Sequence, residues 1–357
     1  MTGRPLRADN ETRTRDLNLG KVALYQLSYV RLHFLAVSPA LSASGTVAHA
    51  RLGAKIGSPH RVSDPRRSPG QAARRSPRVA PMRAWLNGTL LADPTEGAVA
   101  VTDHGFTVGD GVFEAVKTVA GTPFALTRHL ARLERSAKGL GLPAPDLDDV
   151  RHGVSAVLAD GAAGDPIGRL RITWTAGPAP MGSGRGGGPA TLVVAYSPIE
   201  HAPRETSVVT VPWTRNENGA TAGLKTTSYA ENVIALAHAQ ERGGTEAVFA
   251  NTAGNLCEGT GSNVFYVLDG ELRTPTLAAG CLAGITRELV VEWCGAREVD
   301  EPLAEVRKRA SEAFLVSTTR DVQAIARWDD RELPAPGPVT QQCADTWAAR
   351  EAETMEP

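Results

Sequence analysis

The chain has 357 residues, 42% of them hydrophobic and 22% charged, with a formal net charge of −1. These values exclude a collagen-like, disulfide-rich or wholly disordered chain, and at roughly 150 residues per domain the length suits about two domains. No stretch approaches the roughly 20 apolar residues of a membrane helix, and Cys257, Cys281, Cys294 and Cys343 show neither C-x-x-C nor zinc spacing, which points to a reduced cytoplasmic protein with no metal and no membrane partner.

The near-zero net charge conceals two unlike pieces. Residues 1–81 carry 14 Lys/Arg against 4 Asp/Glu, and the rest carries 24 against 35. The first piece holds Arg66-Arg67-Ser68-Pro69 and Arg74-Arg75-Ser76-Pro77 with almost no apolar periodicity. It reads as a disordered basic leader. Such a leader could be a nucleic-acid arm, a transit peptide or a regulatory tail. The plainer reading is a start assigned too far upstream, because residues 11–31 look like a tRNA-gene region read as protein and Met82 opens M-R-A-W-L-N-G, a plausible first strand.

In chain order, alternation predicts strands at 83–86, 99–101 and 112–119, separated by turns at Asn87-Gly88 and Gly109-Asp110-Gly111. Residues 126–140 put Leu126, Leu130, Leu133 and Ala137 on one helical face, with Gly139 or Gly141 to end it. A second helix follows at 148–158. Strands at 169–175 and 191–196 flank a glycine-rich loop, and the prolines in 197–204 mark a boundary between a small α/β domain (82–200) and a second domain (201–357). The second domain alternates strand 207–211, helix 229–241, strands 246–250 and 263–268, a hairpin at Asp269-Gly270, helix 287–294, strand 313–317 and helix 340–350. Mixed order of this kind predicts an α+β fold rather than a regular βαβ series.

Four runs could carry chemistry. In 223–232 (GLKTTSYAEN), Ser228 and Glu231 make an S-x-x-E capping box that starts a helix after Ser228 and leaves Lys225 on a turn. A lysine fixed and partly desolvated there can lose its proton near neutral pH and form a Schiff base, although a lone lysine before a helix is ordinarily a surface charge. In 255–265 (NLCEGTGSNVF), Glu258 precedes a Gly-x-Gly turn into an apolar strand. That shape suits close approach of backbone to a ligand, or a plain hairpin. In 284–289 (GITREL), Thr286 lies at a helix start whose free N–H groups could hold a phosphate, unless it is only a cap. Ser317-Thr318-Thr319-Arg320-Asp321 places hydroxyls at a strand end.

In order and spacing these runs, together with 105–114 (GFTVGDGVFE) and Arg128-His129-Leu130-x-Arg132-Leu133, resemble the fold-type IV pyridoxal-phosphate enzymes, the class IV aminotransferase superfamily, over about 82–330. The resemblance implies an α+β fold of two domains, the larger C-terminal one built on a mixed-sheet, barrel-like core. It also implies a homodimer, pyridoxal 5'-phosphate as cofactor and a small-molecule amino substrate, with no nucleic acid involved. By the same resemblance Lys225 would form the Schiff base and move the substrate proton, and Glu258 would hold the protonated ring nitrogen. Arg128, the Ile285 and Thr286 N–H groups and the Thr318 hydroxyl would hold the phosphate. Ser262 and Asn263 would lie against the cofactor and Tyr229 at its phenolic oxygen. Thr319 would sit near the substrate carboxylate, and Phe106 stands where relatives often place a tyrosine.

Branched-chain enzymes surround the substrate with tyrosines, yet after Met82 only Tyr196, Tyr229 and Tyr266 occur. The glycine-rich loop following Leu170-Arg171-Ile172-Thr173-Trp174-Thr175-Ala176-Gly177 and the K-T-x-S-Y run look more like the 4-amino-4-deoxychorismate lyases of folate biosynthesis, which release 4-aminobenzoate and pyruvate. A branched-chain or D-amino acid aminotransferase is the alternative. The lyase's dicarboxylate substrate needs cations, and Arg169, Arg171 and Arg215 are the candidates.

Overall fold

The computed structural model describes residues 82–159 and 162–357, so the basic leader lies outside the described residues. A first sheet contains β1 (Arg83–Leu86), β2 (Thr89–Leu90), β3 (Gly111–Val119), β4 (Thr122–Pro123), β5 (Ile167–Thr175) and β6 (Thr191–Pro198), in the order β2-β1-β6-β5-β3-β4. All of its pairs are antiparallel. Asn87 and Gly88 both take positive φ (42° and 94°), as a two-residue hairpin turn between β1 and β2 requires.

Three helices accompany this sheet: α1 (His104–Thr107), α2 (Leu126–Leu140) and α3 (Leu147–Leu158). The expected strand at 99–101 does not form. Val99 and Val101 stay exposed, and the segment turns into α1, where Asp103 accepts the Gly105 N–H at 2.8 Å. α2 ends at Gly141 in the left-handed conformation. Leu130, Leu133 and Ala137 of α2 and Val150, Val154 and Val157 of α3 bury against Trp85, Val116, Leu170 and Val194. The start of α2 has no side-chain cap of its own. Instead, the C-terminal residues supply acceptors, Met355 O for the Ala125 N–H at 2.7 Å and Glu356 Oε2 for the Thr127 N–H at 3.2 Å.

The second sheet comprises β7 (Glu205–Arg215), β8 (Glu246–Asn251), β9 (Leu256–Gly259), β10 (Asn263–Leu268), β11 (Glu271–Thr274), β12 (Arg297–Glu298), β13 (Glu312–Ser317), β14 (Asp321–Trp328) and β15 (Arg331–Glu332). Its order is β12-β11-β10-β13-β14-β7-β8-β9, with β15 on β14. It is mixed: β7 runs parallel to β8 and to β14, whereas β10 and β13 are antiparallel. Because β9 returns beside β10, the sheet curls into a half-barrel. The remaining helices are α4 (Ala230–Gln240), α5 (Ile285–Cys294), α6 (Leu303–Arg309) and α7 (Pro338–Glu353). Val248, Val264, Tyr266, Leu315, Ile325 and Trp328 fill one face of the sheet, and α5 and α7 cover Phe265, Phe314 and Val316 on another.

Two features of β3 join the sheets. Its first residues pair with the segment around Lys225: the Phe113 N–H donates to Lys225 O at 3.0 Å and the Thr227 N–H donates to Gly111 O at 2.8 Å. Further along, the buried Lys117 ammonium reaches both Asp321 at the start of β14 and Glu351 of α7.

Candidate active site

A cavity of about 380 Å³ lies where these elements converge. Its walls include Lys225, Tyr229, Glu258, Ser262, Asn263, Ile285, Thr286 and Thr318, all eight expected from the sequence, together with Arg132 and Arg215.

Lys225 is held at its backbone by β3 and by the Ser136 hydroxyl, which accepts the Lys225 N–H at 3.3 Å. Its Nζ lies 4.5 Å from the Phe113 ring centre and 6.0 Å from that of Tyr229. Burial, aided by the positive charge of Arg132, lowers the Lys225 amine to about 8. About a tenth of it is then neutral at pH 7, against a few parts in ten thousand for an ordinary lysine. The anticipated capping box does not form. Tyr229 caps α4 without a side-chain bond, the Ser228 hydroxyl donates to Gly109 O at 3.1 Å, and Glu231 points away to Arg215 at 3.4 Å. The competing acceptor at Gly109 anchors the lysine segment to the turn just before β3 instead.

Glu258 projects from β9 and accepts the Leu282 N–H at 2.9 Å. Burial pushes its carboxyl up, and the charge of Arg215 restrains that rise. Arg215 stacks on Phe249 with its guanidinium carbon 4.1 Å from the ring centre, and donates to Asn232 Oδ1 at 2.6 Å. The sequence offered Arg215 as a substrate cation; the structure engages it with Glu258, Nε to Oε1 3.3 Å.

The opposite end is built for an anion. α5 starts at Gly284 with no side-chain cap, so its first N–H groups are free. A Cβ at Gly284 would fall 2.1 Å from Asn263 Oδ1, so a larger residue there would push that amide aside. Asn263 is oriented by Leu282 O, which accepts from its Nδ2 at 3.0 Å. The neighbouring loop is organised from behind by buried Glu246, which accepts the Thr260 N–H and the Ser262 hydroxyl, each at 3.1 Å.

Arg128 requires correction. It lies outside the cavity wall, bonded to Glu288 Oε1 at 2.8 Å, to Glu292 Oε1 at 2.9 Å and to Pro357 O at 2.9 Å. Arg132, one helical turn further, is buried and lines the cavity, with Nη1 donating to Ala283 O at 2.9 Å just before α5. The first turn of α2 passes over the outer side of α5, so only the next turn reaches its N-terminus. The signal lay in the sequence: His129, Arg132 and Ser136 form a helical polar stripe beside the apolar face, and all three are buried.

The substrate candidates fare differently. Phe106 is 76% exposed, Arg169 is exposed, and neither these nor Thr319 lines the cavity. Arg171 also lies outside the wall, yet its guanidinium carbon stands 3.8 Å from the Phe113 ring centre and is partly desolvated although the residue as a whole is exposed. Among the described residues no group of His, Cys, Asp or Glu gathers as a metal site, and no helix is long and apolar enough to cross a membrane.

Comparison with known proteins agrees with this geometry. Residues 111–328 match the family described as amino-transferase class IV. A D-alanine aminotransferase of Bacillus licheniformis is 30% identical over 73% of this chain and 94% of its own length. A bifunctional aminodeoxychorismate lyase/D-amino acid transaminase of Mycobacterium tuberculosis is 29% identical over 71% of this chain and 93% of its own. The crystal structure of a branched-chain aminotransferase from Thermoproteus uzoniensis with norvaline superposes with a TM-score of 0.69 at 31% identity, covering 75% of this chain and 93% of that one.

Proposed function

The chain belongs to the class IV amino-transferase family, and from that premise we propose that it is a transaminase moving an amino group from an α-amino acid with a single carboxylate to a 2-oxo acid. Pyridoxal 5'-phosphate is the cofactor of this family. The residues present fit it: one cavity wall brings together uncapped α5 amides, the Arg132 guanidinium, the half-buried Glu258 carboxylate and an amine lowered to about 8. When bound, this cofactor supplies an electron sink for bond breaking at the amino acid α-carbon.

The chain's own groups divide the remaining work. Arg132, the Ile285 and Thr286 N–H groups and the Thr318 hydroxyl would hold the phosphate. Glu258, kept ionisable by Arg215, would hold the proton of the ring nitrogen. Tyr229, edge-on to Phe113 at 5.2 Å between ring centres, would bound the ring's other side. Lys225 serves as nucleophile and then as carrier of the substrate's α-proton, for which an amine near 8 is well matched.

The disposition of the three arginines carries the choice of reaction. Arg215 is engaged by Glu258 and Asn232, and Arg169 is exposed away from the cavity. Arg171, like Arg169 outside the wall and without a carboxylate partner among the described residues, differs from it in standing on Phe113, the ring that also lies 4.5 Å from the Lys225 Nζ. One guanidinium suits one carboxylate, whereas 4-amino-4-deoxychorismate carries two. The lyase, the sequence's first expectation, stays as the second reading because a relative matched over 93% of its own length combines both activities. A cytoplasmic homodimer belongs to the same proposal; Val101 and Phe106, 79% and 76% exposed, offer apolar surface for a second copy.

The deciding experiment incubates purified protein with D- and L-amino acids plus 2-oxo acids and, separately, with 4-amino-4-deoxychorismate. Amino transfer without 4-aminobenzoate supports the transaminase; 4-aminobenzoate without amino transfer replaces it with the lyase.

A further inference from the structure

Behind the anion end of the cavity lies a buried pair, Glu114 and His129, to which the reaction assigns no role. Glu114 of β3 is fully buried, and Arg132 grips it in a fork, Nε to Oε1 at 2.8 Å and Nη2 to Oε2 at 2.6 Å. His129 Nδ1 lies 2.7 Å from the same Oε2. Burial keeps His129 below its ordinary value, so it is neutral and donates its Nδ1 proton, while the charge of Arg132 holds Glu114 ionised at about 2. A guanidinium has five N–H donors. Two go to Glu114 and one to Ala283 O at 2.9 Å, which leaves one on each terminal nitrogen of a group that lines the cavity.

We propose that Glu114 is a positioning residue for phosphate recognition: it fixes the plane of Arg132 from behind, with His129 steadying the carboxylate, so that the two spare N–H groups face the anion. The proposal rests on the reading of the cavity as a pyridoxal-phosphate site. Its electrostatic sign is opposite to that of simple charge counting. Glu114 cancels the arginine's charge, so removing it would strengthen anion binding if charge alone mattered. A fixed fork requires the reverse.

The test compares wild type with Glu114→Gln, each stripped of cofactor and titrated with pyridoxal 5'-phosphate and with pyridoxal, which lacks the phosphate. Binding is followed by absorbance. The expected result is a preference for the phosphorylated form at least ten-fold smaller in Glu114→Gln, with pyridoxal affinity unchanged. Arg132→Lys, which keeps the charge without the fork, should lose the preference as well. An unchanged preference, a strengthened one, or equal losses for both compounds would overturn the proposal. Should Glu114→Gln fail to fold, Glu114→Asp gives the same ratio with the carboxylate drawn back by one methylene. Failure of the underlying reading is recognised separately, since wild type would then form no absorbance band with either aldehyde.

Discussion

Arg215 Nε lies 3.3 Å from Glu258 Oε1, buried and with no hydrogen-bond partner among the described residues. The two charges face each other without a well-aligned bond, so the Glu258 carboxylate remains available to a third group while Asn232 holds the guanidinium. Burial raises the Glu258 carboxyl and Arg215 opposes that rise. Replacing Arg215 with Met removes the opposition, and protonation of Glu258 then moves to higher pH. The acidic limb of the kcat/KM profile should shift upward by about one pH unit. A stationary limb would show that the pair does not govern the carboxylate.

Lys225→Ala should lower turnover by on the order of 10³-fold or more without unfolding the chain, as circular dichroism would confirm. In wild-type apoprotein, capture of the aldehyde cofactor should accelerate as pH rises through about 8, where the Lys225 amine loses its proton. The linked stability has a definite sign. Between about 8 and the usual lysine value the unfolded chain binds more protons than the folded one, so the apoprotein gains stability with rising pH in that window. Melting curves across it measure the gain.

Arg128→Met and Arg132→Met separate the two arginines of α2. The Arg128 partners, Glu288 and Glu292, are 49% and 43% exposed, and such surface pairs contribute about 0–1 kcal/mol; cofactor affinity should stay unchanged. Arg132→Met should weaken cofactor binding roughly 10- to 100-fold, the value of a charged hydrogen bond. Equilibrium titration of both variants provides the comparison.

Arg171→Ala should raise KM for the amino donor about ten-fold, near 1.4 kcal/mol, and leave cofactor affinity as it was. Equal KM values in variant and wild type would remove Arg171 from carboxylate recognition and with it the argument for a monocarboxylate donor.

Lys117→Met strands Asp321 and Glu351 beside an apolar replacement. The Lys117 side chain is only 2% exposed, and breaking a buried pair of this kind costs about 3 kcal/mol. Burial already raises the Glu351 carboxyl, so its protonation should soften the loss at mildly acidic pH. Thermal melts at pH 5 and pH 8 would show whether the deficit narrows on acidification.

Much of the architecture was legible because apolar periodicity dominates long elements. The α2 stripe of Leu126, Leu130, Leu133 and Ala137 placed that helix, and the apolar strand 263–268 and the Asp269-Gly270 hairpin followed from composition alone. Short elements escaped: β9 and β12 have four and two residues, too few to show a period, and β9 nevertheless carries Glu258. Lys225, Glu258, Asn263, Thr286 and Thr318 were found because the order and spacing of their runs resemble a known family, not from any one run alone. Arg132 and Arg215 of the cavity wall, and Glu114 behind it, were missed or misassigned, since they acquire their roles only once α2, β3 and β7 converge. Val99 and Val101 mislead for the converse reason, alternating like a strand where no neighbouring backbone offers a ladder.

Lys225 is stitched to one sheet through Phe113 and Gly111, whereas Glu258 belongs to the other and Thr286 to the helix α5 that covers it. Any molecule clasped by all three works as a rivet through two plates. Charged with its vitamin, the enzyme should melt in a single step at elevated temperature; emptied, it should loosen at the seam, where residues 199–204 become the first bonds a protease severs.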